Sequence, residues 1–272
     1  MTQPIVAKET AGTYFREGRI EAAIAAANDA VRRAPASADP RILLAELLLF
    51  DGNLQRADNV LEAAAGVDPS ASLVVAEFRQ LLRAAMARRQ VLFEGRAPEF
   101  LGQPTASQTH LLQALVAARA GDVLGAARAA RAAELSRPLV PGELAGIAFA
   151  DWRDADDLWA GSFEILTSTG KYFWIPAERV VSLEFHTPAR PRDLLWRRCT
   201  MIVRDGPDGD VYMPAIYETD PSLSDRPLRD TLRLGRETEW TQDMPIRGLG
   251  QRLFLVGNEG IPIHDATLVE FA

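Results

Sequence analysis

Between Val6 and Leu135 apolar residues return at three- and four-residue steps in a background of Ala, Leu, Arg and Glu. That spacing predicts amphipathic helices built from strong helix formers. Three segments share a register: Gly18 to Ala23 (GRIEAA), Gly52 to Ala57 (GNLQRA) and Gly121 to Ala126 (GDVLGA), the first two 34 residues apart and the third 69 further on. Pro35, Pro69 and Pro138 repeat the same spacings downstream. Glycine between paired helices, a small alanine early in the second helix and proline after it form the 34-residue tetratricopeptide pattern, each residue having a mechanical reason. The unit expected between the second and third segments is degenerate: Leu73 to Phe93 reads as one long helix, followed by a Gly/Pro/Thr/Ser break over 102–107. Three helical hairpins and an irregular linker helix are therefore expected, and stacked hairpins offer a concave face for a helix or an extended peptide.

From Phe149 the pattern changes to short alternating apolar runs between turn residues. Strands are expected over 163–167, 172–176, 180–185, 199–204, 210–214 and 252–256, with 205–209 (DGPDG) as a hairpin turn. Residues 192–197 and 230–234 read as single helical turns. The fold class expected is α+β: a TPR-like helical repeat over residues 1–145, then a β-rich domain over 146–272, an antiparallel sheet or small barrel.

Charge sharpens this division. The net charge is −7; residues 1–149 hold 16 basic and 16 acidic side chains, while residues 150–272 hold 14 and 21. Such a balance has no general attraction for phosphate backbones, so nucleic acid is not an expected partner. Lys8 and Glu9 interrupt the N-terminus before any apolar run, and no window approaches a membrane span, so neither a secretory signal nor membrane insertion is expected. With Cys199 as the single cysteine, a cytoplasmic location is the natural expectation.

The candidate chemistry is sparse. The carboxylates of 151–157 (DWRDADD) are expected to cap a helix beginning near Asp154. The 205–210 loop lacks the ligand run of a calcium loop, and the glycine pairs at 248–250 and 257–260 lack a dinucleotide fingerprint. His110, His186 and His264 lie far apart in sequence, and Cys199 reads as a buried, inert thiol. No catalytic residue, cofactor or metal is expected. What stands out in the second half is arginine beside large aromatics: Lys171, Tyr172 and Trp174, then Arg190, Arg192, Trp196 and Arg197, then Arg247 and Arg252. These residue types dominate protein interfaces, which makes them the candidate protein-binding residues. A structural network between the arginines and the surplus of Asp and Glu is the equal alternative.

The runs at 166–186 (LTSTGKYFWIPAERVVSLEFH), 190–198 (RPRDLLWRR), 204–217 (RDGPDGDVYMPAIY) and 247–260 (RGLGQRLFLVGNEG) resemble the ImpE family, also called TagJ or SciE. The resemblance implies a non-catalytic accessory protein of the bacterial type VI secretion system. It further implies a partner, the N-terminal helix of the small contractile-sheath subunit, and an influence on sheath assembly or on recycling by the ClpV unfoldase. Composition and spacing alone leave open a second class of function, an enzyme or small-ligand-binding protein with its site in the β domain. That reading requires a convergent pocket with perturbed acidic groups or a metal.

Overall fold

The computed structural model describes residues 10–219 and 228–272, so the expectations placed on Val6, Lys8 and Glu9 lie outside it. The chain divides into two compact units, one ending at Arg79 and the other beginning at Gln80.

In the first unit, α1 (Ala11–Arg16) pairs with α2 (Ile20–Arg33), and α3 (Asp39–Phe50) with α4 (Leu54–Val67). Gly18 and Gly52 take the left-handed conformation in the turns, at φ of 81° and 72°, where a Cβ would be strained. Asn53 caps α4, its side chain accepting from the Arg56 amide at 3.2 Å. The small residues Ala23, Ala27, Ala57 and Ala64 are buried and let neighbouring helices approach closely. Leu47, Leu48 and Leu61 fill the remaining interior, and Phe15 stands edge-on to Phe50 at 4.9 Å. Both hairpins, and the prolines at 35 and 69 just beyond α2 and α4, match the period read from the sequence.

The long helix α5 (Ser72–Arg89) carries the division between the units; it ends in a π-helical turn, Gln90–Glu94, closed by left-handed Gly95. In the second unit the third hairpin pairs α6 (Ala106–Arg119) with α7 (Val123–Ser136). Thr105 and Gln108 form a capping box at the start of α6, and Asp122 caps α7 through the Gly125 amide at 2.8 Å.

The strands are β1 (Glu99–Phe100), β2 (Gly142–Leu144), β3 (Ile147–Phe149), β4 (Trp152–Asp154), β5 (Ser162–Leu166), β6 (Tyr172–Pro176), β7 (Val180–Phe185), β8 (Trp196–Val203), β9 (Asp208–Pro214) and β10 (Ile216–Tyr217). A helical turn α8 (Asp230–Arg233) precedes β11 (Thr238–Trp240), β12 (Gly248–Gln251), β13 (Leu253–Val256), β14 (Glu259–Pro262) and β15 (Leu268–Phe271). One sheet has nine strands in the order β1-β6-β5-β9-β8-β7-β15-β2-β3; two three-stranded sheets run β10-β12-β11 and β14-β13-β4. All pairings are antiparallel except β1 with β6. The core between these layers gathers Trp152, Phe163, Phe254 and Phe271, with Trp152 and Phe254 rings 4.7 Å apart.

The expected strands are all present, and the turn at 205–209 joins β8 to β9 as a hairpin. Three details differ. Trp196 and Arg197, expected in a helical turn, open β8; the turn closes earlier, over Pro191–Leu194, because Pro191 starts it and the Asp193 carboxylate accepts the Arg190 amide at 2.9 Å. The 151–157 carboxylates cap no helix. Residues 152–154 form β4 instead, and Asp154 and Asp156 accept the amides of Asp156 and Leu158 in successive short turns, each at 2.9 Å. Chain pairing with β13 outweighs capping there. The last long helix, α7, ends at Ser136 and β2 begins at Gly142, whereas the compact units divide between Arg79 and Gln80, so α6 and α7 fall in the same unit as the sheets.

Candidate functional site

Strand β5 reads SFEIL and is buried throughout, including the carboxylate of Glu164. A charge in that position demands partners, since an unpaired buried ion costs several kcal/mol. Arg88, near the end of α5, donates through Nε at 2.7 Å and Nη2 at 3.0 Å in a bidentate pair. Arg252, fully buried just before β13, reaches Glu164 with Nη2 and Asp154 with Nη1, the latter at 2.9 Å. The Tyr172 hydroxyl donates to Glu164 and accepts from the Trp174 indole at 2.8 Å, while Trp159 packs edge-on against Trp174 at 5.1 Å. Tyr217 donates its hydroxyl to Asp154 at 2.7 Å. Glu218 joins Arg88 and Arg89, at 2.8 and 2.7 Å. Three arginines thus face three carboxylates, so the network is neutral.

The electrostatics follow from those contacts. Burial alone would push the Glu164 carboxyl up, but Arg88 and Arg252 overcome it and hold the group at about 2. Burial and neighbouring Asp156 push the Asp154 carboxyl up to about 6, against the pull of Arg252. Around this centre, Asp156 accepts Arg247 Nε at 3.0 Å and the Gly248 amide at 2.8 Å, and Arg137 grips Asp151 and Glu134. This ties loop 155–161 and α7 to the sheets.

The nine candidate contact residues fall into separate settings. Tyr172, Trp174 and Arg252 lie inside the network, and Arg247 lies one ion pair outside it. Their burial removes the first three from any contact surface of the folded chain. All four engage hydrogen-bond or ion-pair partners within the chain. Arg192, Trp196 and Arg197 are also buried, around the turn before β8. Only Lys171 and Arg190 stand exposed; Lys171 pairs with Glu99 at 3.1 Å and lies over the Phe173 ring. Cys199 is buried in β8, where burial pushes its thiol up to about 12, well out of reach of thiolate chemistry. His110 sits on α6, His186 follows β7 beside Thr200, and His264 precedes β15, each on a different element.

An interface-like surface appears instead on α7. Leu124, Arg128, Arg131 and Leu135 are all exposed and spaced by i, i+4, i+7 and i+11, which places them on one stripe of the helix. Leu124 and Leu135 are 72% and 77% exposed, far beyond what packing on this molecule explains. Neither Arg128 nor Arg131 has a carboxylate partner among the described residues. Val116 and Val123, also exposed, continue the apolar surface across the α6–α7 turn. Large apolar side chains standing outward in an otherwise alanine-rich helix were the sequence signal for this stripe. The signal for the network was Glu164 in the middle of an apolar strand.

Among the described residues no helix is long and apolar enough to cross a membrane. Residues 146–270 match the ImpE protein family, and residues 14–88 match a tetratricopeptide repeat family. The fold is similar to the crystal structure of protein VPA1032 from Vibrio parahaemolyticus, with a TM-score of 0.87, 26% identity and coverage of 96% of this chain and 97% of that one. The sequence is 33% identical over 259 residues to the type VI secretion system accessory component TagJ of Pseudomonas aeruginosa, spanning 94% of this chain and 89% of that protein. On that identity across nearly the whole length, together with the family match over the sheet region, the chain belongs to the ImpE/TagJ family.

Proposed function

We propose that this protein is a non-catalytic accessory component of a type VI secretion system that captures the N-terminal helix of the small sheath subunit and so influences sheath assembly or ClpV-linked recycling. The observation that carries the accessory role is the 33% identity to TagJ over nearly the full chain. The partner and the mode of capture rest on two further supports. Helical hairpins of the tetratricopeptide kind commonly serve protein partners, a bound helix among them. The outward stripe of α7 has the composition such a partner needs: leucines about 16 Å apart along the axis, and between them two guanidinium groups with no carboxylate partner among the described residues.

An amphipathic partner helix would lay its apolar face on Leu124 and Leu135 and set carboxylates opposite Arg128 and Arg131. Apolar burial supplies affinity and the charge pairs fix register. Calorimetric titration of the full-length chain with a peptide spanning that sheath helix tests this. Saturable binding is expected for the peptide and loss of binding for a variant carrying a central proline. Leu135→Asp, a change at an exposed position that leaves the core intact, is expected to weaken binding at least tenfold. Failure of the intact peptide to bind the folded chain would overturn the proposal.

A further inference from the structure

Arg197 occupies a position where an arginine is hard to explain. Along β8 the core-facing residues are Arg197, Cys199, Met201 and Val203, all buried, so the guanidinium points to the same side as the hydrophobic interior. It is 4% exposed, and its Nε and Nη1 are buried with no hydrogen-bond partner. Almost every buried polar group in a folded protein is paired, and a buried charge without an acceptor is the costliest exception. Next to it lies His264. Its Nε2 carries a proton and donates to the Leu194 carbonyl at 3.2 Å, while Nδ1 is buried and also without a partner. Burial and the charge of Arg197 both hold the imidazole toward its neutral form.

The carboxylates nearby do not close this gap. Asp193 contributes only a charge interaction, its Oδ2 being taken by the amides of Ala189 and Arg190, each at 2.9 Å. Asp265 acts on His264 through space alone. Arg192, on the turn preceding β8, adds a second nearly buried guanidinium to the surroundings. Arg197 therefore presents unused donors in positively charged surroundings, with no acceptor bonded to it among the described residues.

We propose that Arg197 and His264 form a binding site for a carboxylate group, whose two oxygens take the guanidinium N–H groups while His264 gains a proton at Nδ1 and donates it to the same ligand. The carboxylate supplies the missing acceptor in the planar, two-oxygen geometry that suits an arginine fork. Because a neutral Nδ1 would oppose a carboxylate oxygen lone pair to lone pair, binding is coupled to uptake of one proton. The carboxylate has two sources, a small organic acid or an acidic side chain of a protein partner.

Calorimetric titration of the full-length protein with acetate, succinate and a blocked Gly-Glu-Gly tripeptide, each at pH 6 and pH 8, tests the site, with acetamide as the neutral isostere. Saturable binding of a carboxylate and not of acetamide is expected, at least tenfold tighter at pH 6, with buffer-dependent heats reporting proton uptake. Arg197→Met, which keeps the apolar volume, should abolish it, and His264→Gln should remove the proton uptake. Binding of acetate or succinate marks a small-acid site, and binding of the tripeptide alone marks a partner's side chain. If every carboxylate behaves as acetamide does on the wild-type chain, the unpaired groups are met by water and the site does not exist.

Discussion

Helices α1–α4 bury Ala23, Ala27, Ala57 and Ala64 among leucines, whereas the sheet unit buries Arg88, Arg252, Glu164 and Asp154 beside its aromatic core. The first interior depends on small side chains that let helices approach. The second depends on Glu164 staying ionised between the two arginines that it pairs. Apolar packing is graded and forgiving within a methylene or two, while a buried ion network fails when one member is lost, because its partners are left charged and desolvated. The two regions should therefore respond differently to substitution.

The largest expected effect is in the network. Glu164→Leu leaves Arg88 and Arg252 without their shared carboxylate and should cost about 3–5 kcal/mol, read from the urea midpoint of the sheet unit's aromatic fluorescence. A loss no greater than that of an ordinary surface change would show that the network does not hold the sheets together.

Titration sharpens the same point, with opposite signs at two carboxylates. Asp154, at about 6 in the folded protein against 3.8 ordinarily, holds its proton more tightly when folded, so its contribution is present below pH 3.8 and is lost as pH rises through 6. Glu164, at about 2 against 4.5, contributes above pH 4.5 and loses that contribution as pH falls toward 2. Asp154→Asn should flatten the stability profile between pH 4 and 6 and leave the acid limb below 4 in place. Thermal melts across this range check it; an unchanged slope between pH 4 and 6 would contradict the assignment.

In the helical unit the expected effects are smaller. Ala57→Leu forces a branched side chain into a fully buried position and should cost about 1–3 kcal/mol, measured by loss of helical circular dichroism in denaturant.

These contrasts also explain what the sequence reveals. Gly18, Gly52 and Gly121 adopt the left-handed turn that their spacing implies, and the helices end where Pro35, Pro69 and Pro138 stop them, because these are local requirements that one residue can meet. The strands expected at 163–167, 172–176, 180–185 and 199–204 were legible for the same reason, short apolar runs set between turn residues. The Asp151 to Asp157 segment reads as a helix start and folds as a strand and turns, because capping preference is local while pairing of β4 with β13 joins residues about 100 apart. Tyr172, Trp174 and Arg252 carry interface-like chemistry, but residue type does not reveal which side of a fold a side chain faces. Arg88 and Glu164, 76 positions apart, meet only through tertiary structure. The α7 stripe is not among the sequence expectations, because periodicity gives Leu124 and Leu135 a common face but not whether that face is covered.

The smallest expected effect isolates one backbone angle. Gly121 sits at φ +73° with open space around the position of a Cβ, so Gly121→Ala should cost about 1 kcal/mol through the left-handed conformation alone. A thermal melt resolves it, and no loss would mean the turn relaxes.

The proposed partner surface is tested most directly by hydrogen–deuterium exchange of the full-length chain with and without the sheath-helix peptide. Slowed exchange is expected over α7, residues 123–136, with the α6–α7 turn following it. Slowed exchange confined to other elements, with α7 unchanged at saturating peptide, would contradict it.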